Sequence, residues 1–258
     1  QPSSSLISRT GVRRDVGNMN ILRSARLHAS RIRSAAKLRS TDRLDVVPKV
    51  RKRRLSYLAD DKLRNLISSL DEIGRKGVQG QVIEAGCALG GSLVVIAAYA
   101  QGRIINEYDT FEMIPPPGPE DPPDVHERYA IIASGNSKGI GGDEYYGYRQ
   151  DLLAFVRSQV AEILGDEALD SILFHKGLLQ DTMKIDGPVA FAHIDVDWYD
   201  PVSFSISRIW PVLSTGGILI FDDYFDWGGC RKAVDEFFGS RTDCRLETAC
   251  GHLKVTKI

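Results

Sequence analysis

The groups best suited to chemistry in this chain are aspartates, in HIDVDWYD (193–200) and IFDDY (220–224). Both runs are apolar stretches of strand type that end in acid, so Asp195, Asp197, Asp222 and Asp223 stand at two strand ends. A single strand-end aspartate is commonly solvated or caps a helix. Four at two neighbouring strand ends repel one another unless a cation lies between them. Oxygen-only ligation with room for water suits magnesium, and manganese or calcium less well. The chemistry this serves is activation of a hydroxyl. A bound cation lowers the hydroxyl pKa and a neighbouring carboxylate takes the proton. The oxygen can then attack an electrophilic carbon such as a sulfonium methyl group, a displacement that needs mainly positioning.

A second constellation, EAGCALGGS (84–92), lies between a short apolar run and a longer one. Gly86, Gly90 and Gly91 let backbone come close to a ligand, and the start of the following helix offers free N–H groups to an anion. The spacing is neither G-x-G-x-x-G nor G-x-x-x-x-G-K-[ST], which argues against a nicotinamide site and against a Walker loop. With S-adenosylmethionine as cofactor the anion would be the methionine carboxylate rather than a phosphate, and Glu84, Ala85, Gly86, Gly90 and Ser92 are then the expected contacts. Asp109 ends the next strand, 25 residues after Glu84, where it can accept both ribose hydroxyls. The prolines of TFEMIPPPGP exclude a helix start there, so helix capping by Asp109 is not expected. Thr110, Phe111 and Asp181 complete the candidate cofactor contacts.

These groups need a scaffold that brings strand ends together. Leu63, Leu66, Ile67, Leu70 and Ile73 repeat at helical spacing and predict a helix ending near Gly77. Strands are predicted at 81–85, 103–109, 171–177, 188–195 and 216–223, with helices near 93–100, 150–165, 201–213 and 232–238 between and after them. RLETA (245–249) and HLKVTKI (252–258), separated by Cys250 and Gly251, read as a closing hairpin. Such alternation predicts an α/β fold, a mostly parallel sheet with helices on both faces and a reversed last strand. That is the seven-stranded, Rossmann-like layout of class I methyltransferases, and every motif falls at the ligand side of its sheet. The segment 115–149, Pro-rich and then Gly/Tyr-rich, reads as a lid loop offering Tyr145, Tyr146 and Tyr148 to a sugar ring.

Composition bounds the rest. Residues 1–55 carry 15 lysines and arginines against three acids, whereas the remainder carries 18 against 31. This predicts a basic arm (1–54) ahead of an acidic methyltransferase domain (55–258). Residues 1–20 read as tail, 20–40 as an arginine-studded helix, and KVRKRR (49–54) as a solvated charge cluster. The arm's expected partner is an anionic surface or an acidic domain, and it is expected to be dispensable for turnover because every motif lies beyond residue 80. No run of eighteen apolar residues is present, which argues against a membrane span. Four cysteines with no C-x-x-C pair suggest a reducing, cytoplasmic setting.

Taken together, EAGCALGGS, YDTFEMIPPPGPED, the pair HIDVDWYDP and GGILIFDDY, and GCRKAVDEFF resemble the macrocin O-methyltransferase family over about residues 55–240. The resemblance implies a magnesium-dependent class I methyltransferase that uses S-adenosylmethionine on sugar hydroxyls. It implies Asp195, Asp222 and Asp223 as metal ligands and Asp195 as general base. Asp197 is the rival base, since residues i and i+2 of a strand point to one side. Departures from the family pattern are Cys87-Ala88-Leu89 in the glycine turn and Asp200-Pro201 after Tyr199.

The expected acceptor is a sugar or glycan. A catechol- or phenol-type acceptor is the alternative within the same fold and mechanism, and a flat aromatic slot would favour it over a wide polar cleft. A scaffold that has lost catalysis is disfavoured by the intact aspartate set. A nucleic-acid substrate is disfavoured by the acidic body and the lack of an N-P-P-Y-like motif. Self-association as a homo-oligomer is compatible with the sequence but not specified by it.

Overall fold

The computed structural model describes residues 45–258. The tail at 1–20 and the helix expected over 20–40 lie outside the described residues. The first two elements are helices, α1 (Val47–Lys52) and α2 (Asp60–Arg75). α2 forms because Leu63, Leu66, Leu70 and Ile73 fall on one face and are buried, while Asp60 and Asp61 sit favourably in its first turn. Then follow β1 (Gln81–Ala85), α3 (Gly91–Tyr99), β2 (Ile105–Asp109), α4 (Pro123–Ala133), α5 (Leu152–Leu164), β3 (Ile172–Lys176) and the short α6 (Leu179–Thr182). The chain ends with β4 (Val189–Ile194), α7 (Tyr199–Ile209), β5 (Leu213–Phe221), α8 (Gly228–Phe238), β6 (Cys244–Ala249) and β7 (His252–Lys257).

The seven strands form one sheet in the order β3-β2-β1-β4-β5-β7-β6. The first five are parallel, and β7 runs antiparallel to both β5 and β6. The expected fold class holds. All six residues of β4 are buried, as expected for a central strand covered on both faces. One core, including Leu66, Leu93, Val95, Val156 and Val160, lies under α2, α3 and α5. The other, including Val202, Ile206, Trp210, Val234 and Phe238, lies under α7 and α8. From β1 the chain winds outward through β2 and β3, and from β4 in the opposite sense. The switch point therefore lies between the ends of β1 and β4, where such sheets place ligands.

Two expectations change. Val46, Val47 and Val50 are buried in the first core, so the folded body takes in residues ahead of 55. KVRKRR forms the polar side of α1 and its exit, tied down by specific partners. Arg51 donates to the carbonyls of Ser56 (3.1 Å) and Leu58. Arg53 donates to Gln159 Oε1 at 3.0 Å, and Arg54 pairs with Asp143 at 3.1 Å. The segment 115–149 is also more than a loop. It contains α4, whose start carries Pro122 and Pro123 where a missing N–H costs nothing. Trp198 Nε1 donates to the Pro115 carbonyl (2.9 Å), and Tyr199 N–H donates to Asp121 Oδ1 (2.7 Å), binding the segment to the end of β4. No helix among the described residues is long and apolar enough to cross a membrane.

Candidate active site

β1, β4 and β5 end side by side. Asp195 N–H donates to the Ala85 carbonyl (2.8 Å) and Asp222 N–H to that of Ile194 (3.1 Å), so the acids just beyond these strands are fixed by the sheet. Carboxylate oxygens of Asp195, Asp222 and Asp223 lie within 4.8 Å of one another. Asp197 N–H donates to Asp223 Oδ2 (3.2 Å), and its own backbone is left-handed (φ 55°), a strained conformation for a residue other than glycine.

Crowding shows in the proton equilibria. Burial, then Asp222 and Asp197, pushes Asp195 well above the usual carboxylate range. Burial, then Asp197 and Asp195, does the same to Asp223. Asp197 is pushed to about 7, by burial and then by Asp222. Asp222 goes the other way. Burial raises it, but the hydrogen bond from His252 and the neighbouring His193, His252 and Lys62 outweigh burial and hold it low. His252 Nε2 lies 2.6 Å from Asp222 Oδ1, while Asn65 Nδ2 lies 3.0 Å from His252 Nδ1. An Asn amide can only donate there, so Nδ1 accepts and Nε2 carries the proton given to Asp222.

Beneath the switch point, Gly86 adopts φ 85°, and a Cβ there would lie 1.9 Å from the Asp195 carbonyl oxygen. Only glycine lets the turn pass this close to β4. Gly90 packs on Val156 of α5, where a Cβ would lie 2.9 Å from Cγ1. Asp109 does not cap a helix; it closes two turns instead. Its Oδ2 accepts the N–H groups of Cys87 (2.9 Å) and Ala88 (3.3 Å), and its Oδ1 accepts that of Phe111 (2.7 Å). The N–H of Gly91 donates to the Leu55 carbonyl at 3.0 Å. The N–H groups of Cys87 and Ala88 in the turn, and that of Gly91 at the helix start, are therefore already held by the protein.

Two clefts open over these strand ends. The first, about 640 Å³, is lined by Gly86, Tyr108, Asp109, Thr110 and, beyond β3, Leu178, Leu179 and Gln180. The second, about 600 Å³, is lined by Ser92, Asp222, Asp223, Lys62, Arg128, Trp227 and the stretch Leu55–Ala59. Both share Gly86, Asp109, Ile114, Tyr146, Asp195, Asp197 and Trp198.

The profile of the macrocin-O-methyltransferase (TylF) family matches residues 16–249. The chain belongs to this family. Among characterised relatives it is 23% identical over 183 residues to demethyldecarbamoylnovobiocin O-methyltransferase of Streptomyces niveus, covering 68% of this chain and 64% of that one. It is 25% identical over 190 residues to 8-demethyl-8-(2,3-dimethoxy-alpha-L-rhamnosyl)-tetracenomycin-C 4'-O-methyltransferase of Streptomyces olivaceus, covering 69% of this chain and 65% of that one. The chain thus spans a little under two thirds of the length of these relatives. Among solved structures, the O-methyltransferase NovP superposes with a TM-score of 0.64 at 19% identity, over 79% of this chain and 81% of that one. The calicheamicin methyltransferase CalS11 does so at 0.53 and 17%, over 98% and 99%. Both share the fold.

Within this macrocin O-methyltransferase fold, the structure sorts the expected site residues. Gly86, Ser92, Asp109, Thr110, Asp195, Asp222 and Asp223 line the clefts. Glu84 does not. It is fully buried inside the sheet, 3.1 Å from His193 Nδ1, and paired in register with Glu107. Ala85 and Gly90 are buried scaffold, and Phe111 is buried in the core beside Phe174. Asp181 is exposed on α6 and lines neither cleft, its place being taken by Gln180. Of the three tyrosines offered to a sugar, Tyr145 and Tyr146 line the second cleft. Tyr148 instead donates its hydroxyl to the Ile132 carbonyl (2.6 Å) and braces the insertion. Lys62, Arg128 and Leu55–Ala59 also line the second cleft and carry no local sequence signal that marks them. Trp198 and Trp227 were findable, since each follows an acidic pair by a few residues.

Proposed function

We propose that this chain is an O-methyltransferase that moves a methyl group from S-adenosylmethionine to a hydroxyl of a sugar or glycan, assisted by magnesium. The observation that carries this is the meeting of two clefts over one wall, with the acidic cluster at their junction. The first cleft suits a nucleoside: Asp109 and Thr110 supply polar atoms for a ribose, and Tyr108, Leu178 and Leu179 supply apolar walls for a base. The second sets Lys62, Arg128 and the acids beside aromatic faces from Tyr57, Tyr145, Trp198 and Trp227, a mixture of polar groups and ring faces that suits a sugar ring. The curated relatives, one of them named for a rhamnosyl-bearing substrate, support the same class.

The donor set fits a small hard cation. Asp195, Asp222 and Asp223 offer three carboxylate oxygens close together and no nitrogen or sulfur among them. When bound, such an ion lowers the pKa of the acceptor hydroxyl. Asp195 lines both clefts and takes the hydroxyl proton as the new O–CH₃ bond forms and the S–CH₃ bond breaks, leaving a neutral thioether. Asp197, on the same wall, is the second candidate for the proton. Trp198 and Tyr146, common to both clefts, position the acceptor for in-line attack.

The test is mass spectrometry on a panel of glycosides incubated with S-adenosylmethionine. A gain of one methylene on a sugar hydroxyl, abolished in Asp195→Asn with cofactor affinity retained, is the expected result. Methylation of a catechol but of no glycoside would assign the alternative acceptor class.

A further inference from the structure

The acidic cluster already contains a cation. Lys62, in the first turn of α2, places Nζ 3.1 Å from Asp222 Oδ1, 3.2 Å from the Asp222 carbonyl and 3.1 Å from Asp226 Oδ2. Its side chain is only 15% exposed, yet it lines the second cleft. Among the described residues no other lysine or arginine makes an ion pair with Asp195, Asp197, Asp222 or Asp223. Its charge falls on the one member of the cluster that His252 also holds, and on the same oxygen. Asp226 is 55% exposed and offers the ammonium a second seat that is not part of the cluster. The lysine stem packs beside the β6–β7 turn, with Cε 3.2 Å from where a Cβ on Gly251 would lie, so the head alone needs to move.

We propose that Lys62 is a resident counter-cation of the cluster. It holds Asp222 when no divalent ion is present and, by competing for that carboxylate, raises the ion concentration needed to fill the site. This rests on the cation-assisted reading above. A divalent ion entering between Asp195, Asp222 and Asp223 must share Asp222 with an ammonium or displace it toward Asp226, and it meets like charge either way. The lysine therefore lowers affinity for the ion and, in the same stroke, spares the ion-free protein a cluster of uncompensated acids.

The experiment is calorimetric titration of the ion-free protein with manganese alone, in wild type, Lys62→Met, Lys62→Gln and Lys62→Arg, with folding checked by circular dichroism. Removing the charge should tighten manganese binding at least tenfold in both neutral variants, about 1.4 kcal/mol. Lys62→Arg should stay within about threefold of wild type. Affinity that is unchanged or weaker in folded Lys62→Met and Lys62→Gln overturns the counter-cation role while leaving the cation site standing. A wild-type protein that binds no manganese overturns the cation site itself, and the counter-cation role with it.

Discussion

Replacing Gly86 with alanine should be far more damaging than its size suggests, and a second glycine provides the control. Gly86 and Gly187 have nearly the same left-handed backbone, φ 85° and 89°, but a Cβ on Gly187 would meet nothing within 4 Å. Gly187→Ala therefore isolates the backbone strain, about 1–2 kcal/mol for an L-residue in this region. At Gly86 the same strain is joined by a Cβ 1.9 Å from the Asp195 carbonyl oxygen, more than 1 Å inside the 3.0 Å that real Cβ atoms respect. β1 and β4 must part there, which strains the Asp195-to-Ala85 backbone bond of 2.8 Å. A lost buried hydrogen bond and disturbed packing add about 2 kcal/mol, for a total of roughly 3–4 kcal/mol. With a urea slope of about 3 kcal/mol per molar, the midpoint should fall by about 1 M in Gly86→Ala and by no more than about half that in Gly187→Ala. Equal shifts in the two variants would refute the close approach of the turn to β4.

Three further outcomes are expected. Asp195 and Asp223 sit well above the carboxylate range and Asp197 at about 7, so the ion-free cluster carries protons when folded. Folded-state pKa values above an unfolded value of about 4 give stability that is complete below that value and lost as pH rises through the folded pKa. Magnesium should therefore raise the melting temperature more at about pH 8 than at about pH 6, and equal shifts in thermal melts would contradict this. Because Arg51 holds the carbonyls of Ser56 and Leu58, Arg51→Ala should loosen the wall at 55–59 and raise the acceptor KM about tenfold, about 1.4 kcal/mol, with cofactor affinity unchanged by calorimetry. A chain beginning at residue 60 should lose turnover where one beginning at 45 keeps it, since Leu55 closes the N–H of Gly91 and residues 55–59 line the second cleft.

The last expectation concerns residues that the sequence left unmarked, since every motif it showed lies beyond residue 80. Apolar runs and repeats located the seven strands and the helices α2, α3, α5, α7 and α8, but not α1, α4 or α6, and strand ends located the aspartates. Leu55–Ala59 and Lys62 have no such local mark. Their role arises from the return of α1 and α2 over the ends of β1 and β5, a tertiary contact between residues 160 apart for Lys62 and Asp222. Glu84 lies off the clefts for a related reason. Its place before the glycine turn looks like a ligand position, but strand alternation turns its side chain into the sheet beside His193. Asp109 was placed correctly at its strand end, yet its hydrogen bonds to the turn depend on a backbone fold that spacing does not reveal. The Pro-rich start of 115–149 masked α4, because prolines also serve well at the first turn of a helix.

The central claim is that methyl transfer depends on a divalent ion held by Asp195, Asp222 and Asp223. The direct measurement is transfer of labelled methyl from S-adenosylmethionine to a glycoside acceptor in chelator, followed by titration of magnesium back into the same sample. Transfer should fall to background in chelator and return with magnesium in the wild type. It should stay at background in Asp222→Ala and Asp223→Ala, although both still bind the cofactor. Full transfer in chelator, or unimpaired transfer by either variant, would contradict the account.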